Sequence, residues 1–157
     1  MADTHDKRLA LVTGGANGIG YEISAMLGQA GHRLALWDID AAALEKSIAD
    51  FKGQGFETTG AVVDITDGDA VAGALKSLTE EIDSPDILVN NAGITRDALL
   101  MRMAEKDWDL VLTVNLKAAF TLTKACLRTM LKKRWGRIIN ISSVVGVMGN
   151  AGQANYA

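Results

Sequence analysis

Thr13-Gly14-Gly15-Ala16-Asn17-Gly18-Ile19-Gly20 joins two stretches of different period. Before it, Leu9-Ala10-Leu11-Val12 is an unbroken apolar run, the pattern of a strand buried on both faces. After it, Ile19, Ile23, Leu27 and Ala30 recur at helical spacing. A glycine-rich turn between a strand and a helix is where a backbone can close on a pyrophosphate. Gly14 allows the tight turn, Gly18 the approach of the phosphates, and Gly20 the packing of helix on strand. The anion would rest on free N–H groups at the helix N-terminus, which makes Ala16, Asn17 and Ile19 candidates too. The spacing is G-x-x-x-G-x-G, and no lysine follows the last glycine, so a nucleoside-triphosphatase loop does not fit.

The same alternation continues along the chain. Short apolar runs at residues 34–37, 61–63, 87–89 and 138–141 predict further buried strands. Between them, Leu44, Ile48 and Phe51, then Val71, Leu75 and Leu78, predict helices. The longest predicted helix covers residues 105–131, with Trp108, Val111, Leu112, Leu116, Ala119, Phe120, Thr123, Leu127 and Met130 as its apolar stripe. Strands that alternate with helices imply parallel pairing and right-handed crossovers. The expected fold is α/β: a Rossmann-like doubly wound parallel sheet with five strands in the order 3-2-1-4-5. Residues 1–157 read as one dinucleotide-binding domain. Residues 143–152 read as a loop, and residues 153–157 as the opening turn of a helix on which the chain stops. A compact protein rarely ends there, so truncation is expected, with the C-terminal strands and helices missing.

Composition bounds the function. At 157 residues the chain has the length of about one domain. With 48% hydrophobic and 22% charged residues it is globular rather than disordered. A net charge of −3 supplies no basic excess for nucleic acid. A single cysteine, Cys126, excludes an intrachain disulfide, and the two histidines, His5 and His32, near strand starts, lack metal-ligand spacing. No signal core precedes the first strand. The longest uncharged run, residues 138–157, carries Asn140, Ser142, Ser143, Asn150, Gln153 and Asn155, too polar for a membrane span. A cytoplasmic location is the default expectation.

Polar residues close each strand, at the edge where open α/β sheets bind ligands. Asp38, about 20 residues beyond the glycines, can accept both ribose hydroxyls and would repel a 2′-phosphate. Asp40, two residues on, more naturally caps the next helix. Asp64-Ile65 closes the third strand and Asn90-Asn91-Ala92-Gly93 the fourth. Ser142-Ser143 closes the fifth, and Tyr156 follows. A hydroxyl and a phenol converging on a cofactor cleft suit proton transfer to a carbonyl oxygen. Asn115 sits amid apolar neighbours, where its amide must find partners; a structural bond and a site role are both open.

Thr13–Gly20, Asp64, Asn90–Gly93, Asn115, Ser143 and Tyr156, in this order, resemble the short-chain dehydrogenase/reductase family over nearly the whole chain. The chain is most similar to the branch that reduces 3-oxoacyl thioesters held on acyl carrier protein. Asn90-Asn91-Ala92-Gly93-Ile94-Thr95-Arg96-Asp97, the run from Gly136 to Gly146, and the run from Gly149 to Ala157 carry that similarity. The resemblance implies that Tyr156 donates the proton, Ser143 binds the substrate carbonyl, and Asn115 holds a water of the proton relay. It implies dinucleotide contacts at Gly14, Ala16, Asn17, Gly18, Ile19, Gly20, Asp38, Asp64, Ile65, Asn91, Ala92 and Gly93. It places an acidic carrier protein near Lys132, Lys133 and Arg134, for which a helix-dipole role is the alternative. It implies a homo-oligomer, tetramer or dimer, with the long helix partly buried against another subunit.

Two features depart from the family pattern. Asn17 stands where carrier-protein reductases using NADPH often have a basic residue, and Asp38 is acidic, so NAD(H) is expected over NADP(H). The family's Tyr-x-x-x-Lys motif would put its lysine beyond Ala157, so residues 1–157 alone are expected to be nearly inactive. Acetoacetyl-CoA reductase, another short-chain alcohol dehydrogenase, and a non-catalytic dinucleotide-binding fragment are the alternatives.

Overall fold

The computed structural model describes residues 7–157; His5 and the rest of residues 1–6 lie outside them. Strands β1 (Leu9–Thr13), β2 (Arg33–Asp38), β3 (Thr58–Val62), β4 (Ile87–Asn90) and β5 (Arg137–Asn140) form one parallel sheet. Their order, β3-β2-β1-β4-β5, is the one expected. Helices α1 (Gly18–Gln29), α2 (Ala41–Gly53) and α3 (Gly68–Glu81) follow the first three strands.

Continuous apolar strands arise because both sheet faces are covered. Leu9, Leu11, Ala35, Trp37 and Leu88 meet Val71 and Leu78 of α3 on one face. Ala10, Val12, Leu34, Leu36, Ile87 and Val89 meet Leu44 and Phe51 of α2 on the other. Every other strand residue therefore serves one core, and each is apolar. The edge strand β3 differs: Thr58, Thr59 and Gly60 pair with Leu34, Ala35 and Leu36, so it begins three residues before the apolar run at 61–63. Partial exposure at the sheet edge removes the apolar signature there.

Helix α1 packs Ile23 and Leu27, partly buried, against the core as their spacing predicts, but its fully buried line is a different one. That line is Gly20, Ser24 and Gly28, four residues apart, while Ile19 is exposed. Small residues let the helix lie close to the sheet; a Cβ on Gly28 would stand 2.5 Å from the Phe56 ring. Helix α2 has the expected cap, with the Ala43 N–H donating to the Asp40 carboxylate at 3.0 Å.

The long helix is also not continuous. Helix α4 (Glu105–Leu112) passes through a π-helical turn, Thr113–Lys117, into α5 (Ala118–Lys133). Ala118, Leu122, Cys126 and Met130 are buried, whereas Leu116, Phe120, Leu127 and Leu131 point outward. The predicted stripe holds Val111 and Met130 of the buried row but misses Ala118, Leu122 and Cys126, and its Leu116, Phe120 and Leu127 are exposed. Residues 105–133 are long and apolar enough to cross a membrane by length and composition, yet their inner row packs on the sheet core. Burial pushes the Cys126 thiol up to about 12, so it stays protonated and unreactive.

Beyond β5 the chain forms a four-residue helix, α6 (Val145–Met148), inside the segment expected to be a loop. The helix expected from Gln153 is a single turn, in which the Tyr156 and Ala157 N–H groups both donate to the Gln153 carbonyl.

Candidate functional site

At the carboxyl edge of the sheet, Thr13 joins β1 to the segment after β4. Its hydroxyl donates to the Val89 carbonyl at 3.3 Å and accepts from the Asn91 and Ala92 N–H groups at 3.1 and 3.2 Å. The Asn91 side-chain amide returns the contact, donating to the Thr13 and Gly14 carbonyls at 3.0 and 3.1 Å. The glycine loop is therefore held from the β4 side. Asp38 holds it from the β2 side, its carboxylate accepting from the Ala16 N–H at 3.1 Å. The Ala16 carbonyl accepts from Ser47 of α2 at 2.7 Å.

These bonds separate support from binding surface. Ala16 is buried with both main-chain polar groups engaged inside the protein, so it braces the loop rather than offering an N–H to a ligand. Asn17, Gly18 and Ile19 are exposed, and a Cβ on Gly18 would meet nothing within 4 Å. Gly14 and Gly18 have φ of +61° and +52°, the left-handed region that favours glycine. Asn17 makes no side-chain cap and the first turn of α1 holds no acid, so its N–H groups stay open to an anion. A pyrophosphate fits this cradle. The Asp38 carboxylate also accepts from the Asp40 N–H at 3.1 Å, and its remaining lone pairs suffice for two ribose hydroxyls. Asp64 accepts from the Thr66 hydroxyl and N–H at 2.7 and 2.9 Å, which holds its carboxyl below the usual carboxylate range.

Beside the cradle lies a cavity of ≈ 950 Å³. Its wall brings together Ile19, Ile65, Asn91, Ala92, Gly93, Asn115, Ser143 and Tyr156 of the expected site. Gly14, Ala16, Asn17, Gly18, Gly20, Asp38 and Asp64 lie outside that wall. Asn115 occupies the middle of the π turn. Its Oδ1 accepts from the Ile94 N–H and its Nδ2 donates to the Ile94 carbonyl, both at 2.9 Å. Its amide thus fixes the loop after β4, leaving one lone pair on Oδ1. The Ser143 oxygen accepts from the Val145 N–H at 3.2 Å, and its own proton remains to be donated.

Sequence reasoning placed Asn90 in the run that closes β4 without giving it a role, and did not single out Asn140 or Asn155 as site residues. Asn90 donates to Asn140 at 2.8 Å across β4 and β5, and Asn155 is 5% exposed. Nothing local marks these asparagines, since their partners are 50 or more residues away or on other elements. The basic trio also changes meaning. Lys133 donates to Asp83, Asp86 and the Ser84 carbonyl at 2.9–3.1 Å, so its ammonium is engaged in holding α5 to the start of β4. Lys132 and Arg134 are exposed.

The family model described as short chain dehydrogenase matches residues 8–157. The chain is 47% identical over 150 residues to the 3-oxoacyl-[acyl-carrier-protein] reductase FabG of Pseudomonas aeruginosa, covering 96% of the chain and 61% of that protein. Against the protein of the same name from Vibrio cholerae, identity is 48% over 153 residues, covering 96% and 60%. Against that of Escherichia coli, identity is 45% over 153 residues, with the same coverage. The chain spans about three fifths of the length of these curated relatives.

Proposed function

Because the chain belongs to the short-chain dehydrogenase family, whose oxidoreductases use nicotinamide dinucleotides, we propose that it serves the reduction of a 3-oxoacyl thioester to the 3-hydroxyacyl form. One observation carries the reading: Asn91–Gly93 beside the glycine cradle and Asn115, Ser143 and Tyr156 share one cavity wall. The names of the relatives support acyl carrier protein as the carrier of the substrate. Exposed Lys132 and Arg134 are the basic residues left to meet an acidic carrier. A cytoplasmic setting goes with this chemistry.

Gly14–Gly20 and Asp38 would hold the pyrophosphate and adenosine ribose of the dinucleotide, with Asp64 and Ile65 beside its adenine; when bound, its reduced nicotinamide would supply the hydride. Ser143 donates a hydrogen bond to the substrate ketone oxygen, which gains negative charge as the carbon is reduced. Tyr156 gives that oxygen a proton. Asn115 keeps the Ile94 turn in place beside them and offers its free lone pair to a water. Ala16, Asn91 and Thr13 keep the cradle rigid.

The test is oxidation of NADH by acetoacetyl thioesters of acyl carrier protein and of coenzyme A. It is run on the chain and on the chain completed with the remaining two fifths of the Vibrio cholerae relative. Tyr156→Phe in the completed chain is expected to lower turnover by about 100-fold or more. No thioester-dependent oxidation, or full turnover in Tyr156→Phe, overturns the proposal.

We also infer a preference for NADH. Two opposite-end groups of like charge about 4 Å apart repel by roughly 1–4 kcal/mol between the water and protein-surface limits. Asp38 against a 2′-phosphate is such a pair. NADH is expected to bind at least tenfold tighter than NADPH, and Asp38→Asn to shrink that ratio. Fluorescence titration of both reduced cofactors reads it; equal affinities in the unsubstituted chain would refute the preference.

A further inference from the structure

The turn that carries Tyr156 has little structure of its own. It is a single turn after the four-residue α6, too short for either to be stable alone. Its place is set by bonds to the segment between β4 and α4 and to the first turn of α4. The Ala98 N–H donates to the Gly152 carbonyl at 2.8 Å. Gln153 Nε2 donates to both carboxylate oxygens of Asp97 at 3.1 Å, and its Oε1 accepts from Asn150 at 2.9 Å. Asn155 Nδ2 donates to the Arg96 carbonyl at 3.1 Å and the Asp107 carbonyl at 3.4 Å. Two residues before Arg96, Ile94 is held at both its N–H and its carbonyl by Asn115.

We propose that Asn155 is a positioning residue for Tyr156: its buried amide ties the turn bearing the phenol to the loop that Asn115 fixes from the other side. Asn115, residues 94–98 and Tyr156 then move as one body. Asparagine suits the place because two carbonyls face it, and an amide nitrogen supplies two donors where a carboxylate supplies none. The cost is visible in the structure: Asn155 Oδ1 is buried without a partner. The exposed Gln153–Asp97 contact adds little stability, so its effect is to set the angle of the same turn. The catalytic consequence rests on the role proposed for Tyr156; the position of its ring does not.

The test therefore reads ring position, with no activity required. The sequence holds two tyrosines, and Tyr21 stacks on Phe51 against the core at 4.5 Å between centroids, in a contact that shares no residue with this network. Chain made with 3-fluorotyrosine gives one fluorine NMR signal for each, assigned with Tyr21→Phe. In Asn155→Asp and Asn155→Ala the Tyr156 signal is expected to move to the position and width of free fluorotyrosine, with the Tyr21 signal unchanged. Gln153→Glu, which sets two carboxylates face to face, should shift the Tyr156 signal. Adding Asp97→Asn, which restores an amide–carboxylate pair with the partners exchanged, should return it. An unmoved Tyr156 signal in the Asn155 variants with Tyr21 intact overturns the proposal. If those variants lose both signals through unfolding, the exposed pair decides: failure of the double substitution to restore Tyr156 also overturns it. Loss of thioester reduction with these signals behaving as expected would refute the proposed function alone.

Discussion

Gly20→Ala is expected to abolish measurable NADH binding and to lower the stability of the chain by about 3 kcal/mol or more. A Cβ on Gly20 would stand 2.1 Å from the Gly14 carbonyl oxygen and 2.5 Å from the Asn91 amide nitrogen. Both are fixed: the Asn91 amide already bonds the Gly14 carbonyl, and Asn91 is held to Thr13. Relief requires α1 to move off the sheet or the loop to shift, and either opens the cradle proposed for the pyrophosphate. Two other glycines separate fold from site. Gly28→Ala meets the Phe56 ring at 2.5 Å, away from the cradle, and should destabilise while leaving a binding curve at temperatures where the chain stays folded. Gly73→Ala lies on α3 with nothing within 4 Å and should stabilise by roughly 0.5–1 kcal/mol. Urea unfolding and NADH fluorescence measure the series. Tight NADH binding by Gly20→Ala would show that the close approach at this residue is not what shapes the cradle.

Asp86→Ala is expected to cost about 3 kcal/mol, or roughly 6–12 °C in Tm. Asp86 is 3% exposed at the amino end of β4. One carboxylate oxygen accepts from the Leu9 N–H at 3.1 Å and the other from Lys133 at 3.0 Å. Removing it strands a buried N–H at the first residue of β1, about 1–3 kcal/mol by itself, and takes an anion from a partly buried ammonium. Asp83, which also meets Lys133 and Arg33, is more exposed, and Asp83→Ala should cost no more than about 1 kcal/mol. Burial disfavours the Asp83 charge, but Lys133, the Ser84 N–H and Arg33 together hold its carboxyl below the usual carboxylate range. Its folded value is thus lower than its unfolded value of about 3.9. The stability it contributes is fully present above that pH and is lost as pH falls through the folded value. Urea midpoints measured from pH 7 to pH 2 should therefore fall less steeply in Asp83→Asn. Equal costs for Asp86→Ala and Asp83→Ala would refute the assignment of Asp86 as the main link.

The sequence by itself determined the alternation of strands and helices, the parallel sheet, the glycine cradle, the carboxylate at the end of β2 and the cap at Asp40. Each of these depends on neighbours two to five residues away, or on a strand-end position that alternation already places. It also named Asn115, Ser143 and Tyr156 through resemblance, although periodicity alone would have left Asn115 as one polar residue in an apolar stripe. Only the tertiary structure decided what these residues touch. In the long helix the buried row is Val111, Ala118, Leu122, Cys126 and Met130, while the larger side chains Leu116, Phe120 and Leu127 are exposed, so apolar size by itself pointed to the wrong row. The small residues of α1 face the sheet because close approach, rather than side-chain size, is what that contact needs. Thr13 with Asn91, Asp86 with Leu9, and Asn155 with Arg96 are separated by 78, 77 and 59 residues. Such polar partners are brought together by strand order and loop path, and a buried amide or carboxylate acquires its meaning only from the groups that the fold sets against it.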